Sequence, residues 1–284
     1  MTSESYFEIT FWEGLLPTPP IKEDIVDAVG TTFHSSMAEL PTQTFFTELS
    51  KCKTTGHLYA IIYLHQRMHQ RPPSLPHALR YPYFNPTEYR ITEVVILKQR
   101  VFIQHEGFVF RIHHEPPAHH SPEPDFLITI NRSIESTRSN SIFSSPKLAI
   151  DRAACILSPV AAQIEGTFSQ PVVWRMPAPG QTFNLNLCQL GVLLHAVPFS
   201  FPQQQYHALY KNCFSHSRIL RAVLIRAIQA QQTADSGQNV VAAHEPDTFG
   251  MRLGTCFGFS LDKDEGEDLV VYLNYQILYN ELLA

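Results

Sequence analysis

Apolar residues change their spacing near residue 89, and that change limits the folds open to this chain. Before it, Ile21, Ile25, Val29, Phe33 and Met37 recur every four residues. A short helix is expected over 45–52, after Pro41. A further helix over 58–69 carries Leu58, Ile61, Ile62, His65 and Met68 along one side. Pro72, Pro73 and Pro76 stop it, and the segment up to residue 88 is rich in Pro, Tyr and Asn. After that the period is two. Residues 91–100, 101–112 and 125–131 are rich in Val, Ile and Phe and read as strands. The chain therefore predicts an α+β protein, with a helical region and linker over 1–88 and an α+β domain over 89–284.

The later segments are more mixed. Residues 149–157 fit a strand or a helix equally. Residues 171–180 hold Pro171, Pro177 and Pro179 and read as a loop. Residues 185–197 predict a helix with Leu187, Leu190 and Leu194 facing inward, and Cys188 and His195 in the core or at its edge. Residues 249–259 read as a bent, Gly-punctuated strand. Residues 269–279 read as a closing strand or a short helix.

Composition excludes several classes. With 44% hydrophobic and 17% charged residues among 284, the chain can build a sizeable core. A net charge of −5 argues against a general nucleic-acid binder. Arg218, Arg221 and Arg226 cluster on one helix and read as a solvated face. The five cysteines, at 52, 155, 188, 213 and 256, form no CxxC pair and fit reduced thiols in a cytosolic or nuclear setting. The first residues lack a basic and apolar leader, and no apolar run is long enough to span a membrane. A cytoplasmic protein is expected.

Chemistry is best placed at residues 206–220. An apolar face recurs at Leu220, Val223, Leu224, Ala227 and Ile228, so a helix runs through here. Asn212 is a good N-cap, which puts Cys213 in the first turn. Unpaired amides and the positive dipole end there favour a thiolate. The plain alternative is a small apolar residue packed under a helix. A thiol needs a base, and a third group to orient it. If 105–112 pairs antiparallel with 125–131, the start of one strand meets the end of the other. That brings Asn131 beside His105, where its amide would fix the imidazole tautomer. Thr129 and Arg132 are alternatives to Asn131. His216, one turn after Cys213, is an alternative to His105, although i,i+3 neighbours lack the usual opposed geometry. His113 and His114 lie at the wrong end of the hairpin.

Two histidine clusters suggest metal and are discounted. His65 and His69 have HxxxH spacing, but Gln66 stands where a zinc peptidase needs Glu, so surface or capping roles are expected. His113, His114, His119 and His120, with Glu115 and Glu123, lie in a Pro-rich loop that does not fix tetrahedral geometry. No metal and no cofactor are expected.

Asn212-Cys213 after an apolar helix, with histidine-bearing strands earlier in the chain, resembles the circularly permuted NlpC-type papain-like group. That group includes the lecithin:retinol acyltransferase-like enzymes and their Asn-Cys-Glu-His-Phe motif. The likeness spans about residues 89–260. The segment from Phe84 to Glu93, FNPTEYRITE, is also similar to a set of basidiomycete mushroom proteins of unknown function. The resemblance implies a papain-like sheet packed on the Cys213 helix. It also implies hydrolysis or acyl transfer on an amide, ester or thioester of a small molecule or peptide. Here Phe214-Ser215-His216 follows the cysteine, not Glu-His-Phe and not the Tyr-Trp-Phe of the mushroom set. A silent papain-like binding module is therefore the alternative.

Overall fold

A computed structural model gives the fold. It describes residues 41–70, 85–98, 106–116, 123–134, 147–157, 172–177, 184–201, 205–206, 213–236 and 266–283. The expected helix over 21–37, the His-rich loop tip and the strand over 249–259 lie outside these residues.

The described elements are α1 (Pro41–Ser50), α2 (Thr55–Gln70), β1 (Tyr89–Lys98), β2 (Glu106–His114), β3 (Phe126–Ile134), β4 (Lys147–Ile156), β5 (Val172–Met176), α3 (Leu187–Ser200), β6 (Gln205–Tyr206), α4 (Cys213–Ser236) and α5 (Glu267–Leu283). They form an α+β protein. One antiparallel sheet has the order β5-β1-β2-β3-β4-β6, in which β6 adds only two residues to an edge. Among the described residues, no helix is long and apolar enough to cross a membrane.

The sheet turns one apolar face to the helices. Phe108, Phe110 and Ile112 of β2, Phe126, Ile128 and Ile130 of β3, and Ala153 of β4 all join the main core. These are alternate positions, as a pleat requires. In β1 the parity switches. Ile91 faces Ile112 and Val94 faces Phe110, with a register shift between Ile91 and Glu93. Thr92 is the extra residue, so odd Ile91 and even Val94 both point inward. The opposite face carries a small buried cluster of Val95, Val109 and Leu127.

Against this face packs α3, a helix buried at every position from Leu187 to Pro198. A capping box starts it. Asn186 Oδ1 accepts from Gln189 N at 2.9 Å, and Gln189 Oε1 accepts from Asn186 N at 2.9 Å. Ile91 N donates to Leu185 O at 2.9 Å, which ties that start to β1. Helices α2, α4 and α5 pack around α3, and α4 also lies on β2 and β3. Phe45, Leu49, Leu58 and Ile62 of α1 and α2 enter the same core as the sheet, so one core crosses position 88.

One segment departs from the sequence reading, and at a second the structure takes one of the two alternatives. The expected loop at 171–180 contains β5, which pairs with β1 at the sheet edge. Its prolines bracket the strand and do not interrupt it, which an edge position tolerates. Residues 267–283 form a full helix, with Glu267 and Asp268 in the first turn, where acidic groups suit the dipole.

At Gly191, α3 packs close against α2. A Cβ there would lie 2.8 Å from Ile62 Cδ1, and Ile62 is fully buried. Gly191→Val is expected to cost about 1–3 kcal/mol by overpacking. A lower urea midpoint with unchanged slope checks this.

Candidate functional site

Helix α4 begins at Cys213, as the sequence predicts. The Cys213 side chain, His105 and Asn212 lie outside the described residues. Asn131 does not join them. It stands opposite Gly107 on β2 and Arg152 on β4. It is exposed, and its parity is that of Leu127 in the outer cluster. Helix α4 packs on the other face. Thr129 shares the outer parity, so neither of these residues reaches the face that carries α4.

The next residue, Arg132, points the other way and anchors a buried polar cluster. Its Nε donates to Asp151 Oδ1 at 2.7 Å and its terminal amine to Asp151 Oδ2 at 2.9 Å. This paired fork is the strongest geometry a guanidinium and carboxylate can adopt. From α4, His216 Nε2 lies 3.5 Å from Asp151 Oδ1. All three residues are at most 7% exposed. Ser217 and Arg221 of α4 and Glu106 at the start of β2 are buried as well. Arg221 thus corrects the expectation of a solvated arginine face. Arg226 keeps it, exposed and 2.9 Å from Asp268.

Electrostatics follow from this packing. Burial alone would raise the Asp151 carboxyl, but facing His216 and Arg132 overcome it and hold Asp151 below its usual range. Burial pushes His216 down to about 4, against the upward pull of Asp151. At neutral pH the cluster is therefore a carboxylate, a guanidinium and a neutral imidazole. An Nε2–H directed at Asp151 leaves Nδ1 as the basic nitrogen.

The other sequence candidates are placed as follows. His65 is buried, edge-on to Phe45 at 4.9 Å and 3.4 Å from Glu48, and is a core residue, not a surface or capping one. His69 is exposed, so the two do not converge. His113 Nδ1 meets Asp125 Oδ1 at 2.7 Å. His114 stacks on Tyr89 at 4.4 Å, and its Nδ1 accepts from Glu123 N at 2.9 Å. His195 is a core residue stacked on Tyr59 at 4.4 Å, and burial pushes it down to about 3. Cys188 donates to Gln66 Oε1 at 3.4 Å, and burial pushes its thiol up to about 12. Among the described residues, no group of three or more His, Cys, Asp or Glu is arranged to hold a metal.

Asp151 is the residue that sequence reasoning missed. A strand reading of 147–156 would have exposed it as an acid sharing parity with core Ala153. The class defined here is an α+β protein with a buried carboxylate–imidazole pair under the helix that Cys213 begins. No family model, curated protein or solved structure matches the chain.

The buried histidines set a pH dependence. His195 and His216 fold with pKa values below the ordinary 6.5, so between pH 6.5 and about 4 the unfolded chain binds more protons. Stability therefore rises with pH across that window, by at most about 1.4 kcal/mol per pH unit for each ring. Asp151 adds stability that is lost only as pH falls through its lowered value. Urea unfolding of wild type and His216→Gln between pH 4.5 and 6 checks this. The variant should lose up to one ring's share of the slope.

Proposed function

We propose that this chain is a cysteine-dependent hydrolase or acyltransferase on a permuted papain-like fold. Cys213 is the nucleophile and His216 its imidazole partner, oriented by Asp151. The observation that carries this reading is the buried Asp151–His216 pair one helical turn after the cysteine that begins α4. His216 stands three residues after Cys213, a spacing that puts two positions on one helix face. The amides at the start of α4 favour the thiolate and supply donors for an oxyanion. In the reaction, His216 Nδ1 takes the thiol proton as sulfur bonds to the acyl carbon, and returns it to the leaving group as the bond from that carbon to the leaving group breaks. Water or an acceptor then cleaves the thioester. Arg132 is a positioning residue that keeps Asp151 ionised.

A silent papain-like interaction module is the second reading. It is favoured by Asn131 standing on the outer face and by the closure of His216 from solvent.

The test is alkylation of Cys213 against pH, with an activated acyl ester as a second reagent. We expect a thiolate pKa below the usual value of about 8.5 and acylation confined to Cys213. His216→Gln should slow alkylation at pH 7 about tenfold or more, whereas His105→Ala should leave it unchanged. An ordinary thiol titration with no acylation assigns the silent module. Loss of reactivity in His105→Ala alone returns the base to residue 105.

A further inference from the structure

We propose that Cys52 and Cys155 are a redox pair that closes to an intramolecular disulfide. The two thiols come from segments about a hundred residues apart in sequence. Cys52 ends the turn after α1, where its N donates to Leu49 O at 3.1 Å and its Sγ to Thr54 O at 3.3 Å. The next two residues run beside β4. Lys53 O accepts from Ala153 N at 3.0 Å, and Thr54 bridges Arg152 in antiparallel sense. Thr54 also begins α2, accepting from His57 N at its Oγ1. The loop is thus held against β4 on the backbone, independently of the sulfurs. Two residues further along β4, on the same core-facing parity as Ala153, stands Cys155, which this register brings to the same part of the core as Cys52. Cys52 belongs to the main core and Cys155 packs against it from a partly exposed position. The third described thiol, Cys188, is committed to Gln66.

The oxidant is a small-molecule disulfide such as oxidised glutathione. The Cys155 thiolate, the more exposed of the two, attacks one glutathione sulfur, and the glutathione S–S bond breaks. A mixed disulfide forms and one glutathione leaves. The Cys52 thiolate then attacks Cys155 Sγ and expels the second glutathione. The protein gives up two electrons, glutathione disulfide becomes two thiols, and the two cysteine protons end on them. The Cys52 hydrogen bond first, and burial second, hold the Cys155 thiol well above its usual range. Closure is therefore slow at neutral pH and accelerates about tenfold per pH unit. Pairs of this kind in a reducing compartment act as redox sensors rather than structural staples. Closure would fasten the α1–α2 loop to the strand that carries Asp151, and the disulfide itself does not depend on the catalytic reading.

Wild-type full-length protein equilibrated over a series of oxidised-to-reduced glutathione ratios tests this. Samples are quenched in acid, alkylated and mapped without reduction. A monomeric Cys52–Cys155 cross-linked peptide is expected, growing with the ratio, faster at pH 8.5 than at pH 7, and lost in dithiothreitol. Cys52→Ser should instead trap Cys155 as a stable mixed disulfide with glutathione. The proposal is overturned if both cysteines remain alkylatable at the most oxidising ratio. It is equally overturned if either is found linked to Cys188, Cys213 or Cys256.

Discussion

Everything in this fold is arranged around one helix that has no solvent face. Residues Leu187 to Pro198 of α3 are all buried. A helix apolar on every side needs cover on every side. The sheet supplies it from below, and α2, α4 and α5 from around. Leu187, Leu190, Leu193, Leu194 and Val197 each contribute about 1.5–3 kcal/mol when fully buried. The capping box at Asn186 makes such burial possible, because it satisfies the first amides before they leave water. Gly191 then lets α2 approach closely enough to close the layer.

Within this apolar surrounding, Arg132, Asp151 and His216 form an island of charge where α4 meets the sheet. Such an island adds little to net stability, since desolvation consumes most of the attraction. Its effect is on geometry. A carboxylate fixed by two guanidinium bonds has one orientation, and an imidazole beside it takes its tautomer from that carboxylate. The rotation of α4 on the sheet is thereby set where Cys213 begins the helix. The proposed thiol chemistry and the purely structural role draw on the same arrangement, and they differ in whether the thiol and imidazole exchange a proton.

How far the site was legible can be read residue by residue. The start of α4 was visible in the apolar period from Leu220 to Ile228, and the β2–β3 pairing in the Val, Ile and Phe runs. The face taken by Asn131 was not. Phe126, Leu127 and Ile128 are all buried, since β3 has apolar cover on both faces there. A run without alternation hides strand parity, and parity alone decides that Arg132 points in and Asn131 out. Asp151 was hidden for a related reason. Ala149, Ala153, Ala154 and Cys155 suit helix or strand alike, so no face was assigned to the acid among them.

The sequence by itself determined the elements of local period: the helices over 58–69 and 185–197, the helix that Cys213 begins, and the three strands that follow residue 89. It also determined an α+β class and the placement of Cys213 at a helix start. These depend on spacing within a dozen residues, which the chain carries in its own order. Tertiary structure alone decided which side chains meet. Thr92 switches the parity of β1, β5 pairs at the sheet edge between its prolines, and the loop after Cys52 seats against β4 about a hundred residues away. Those contacts depend on register and on how helices seat over a sheet. Both are settled by packing the whole core at once, not by any one segment.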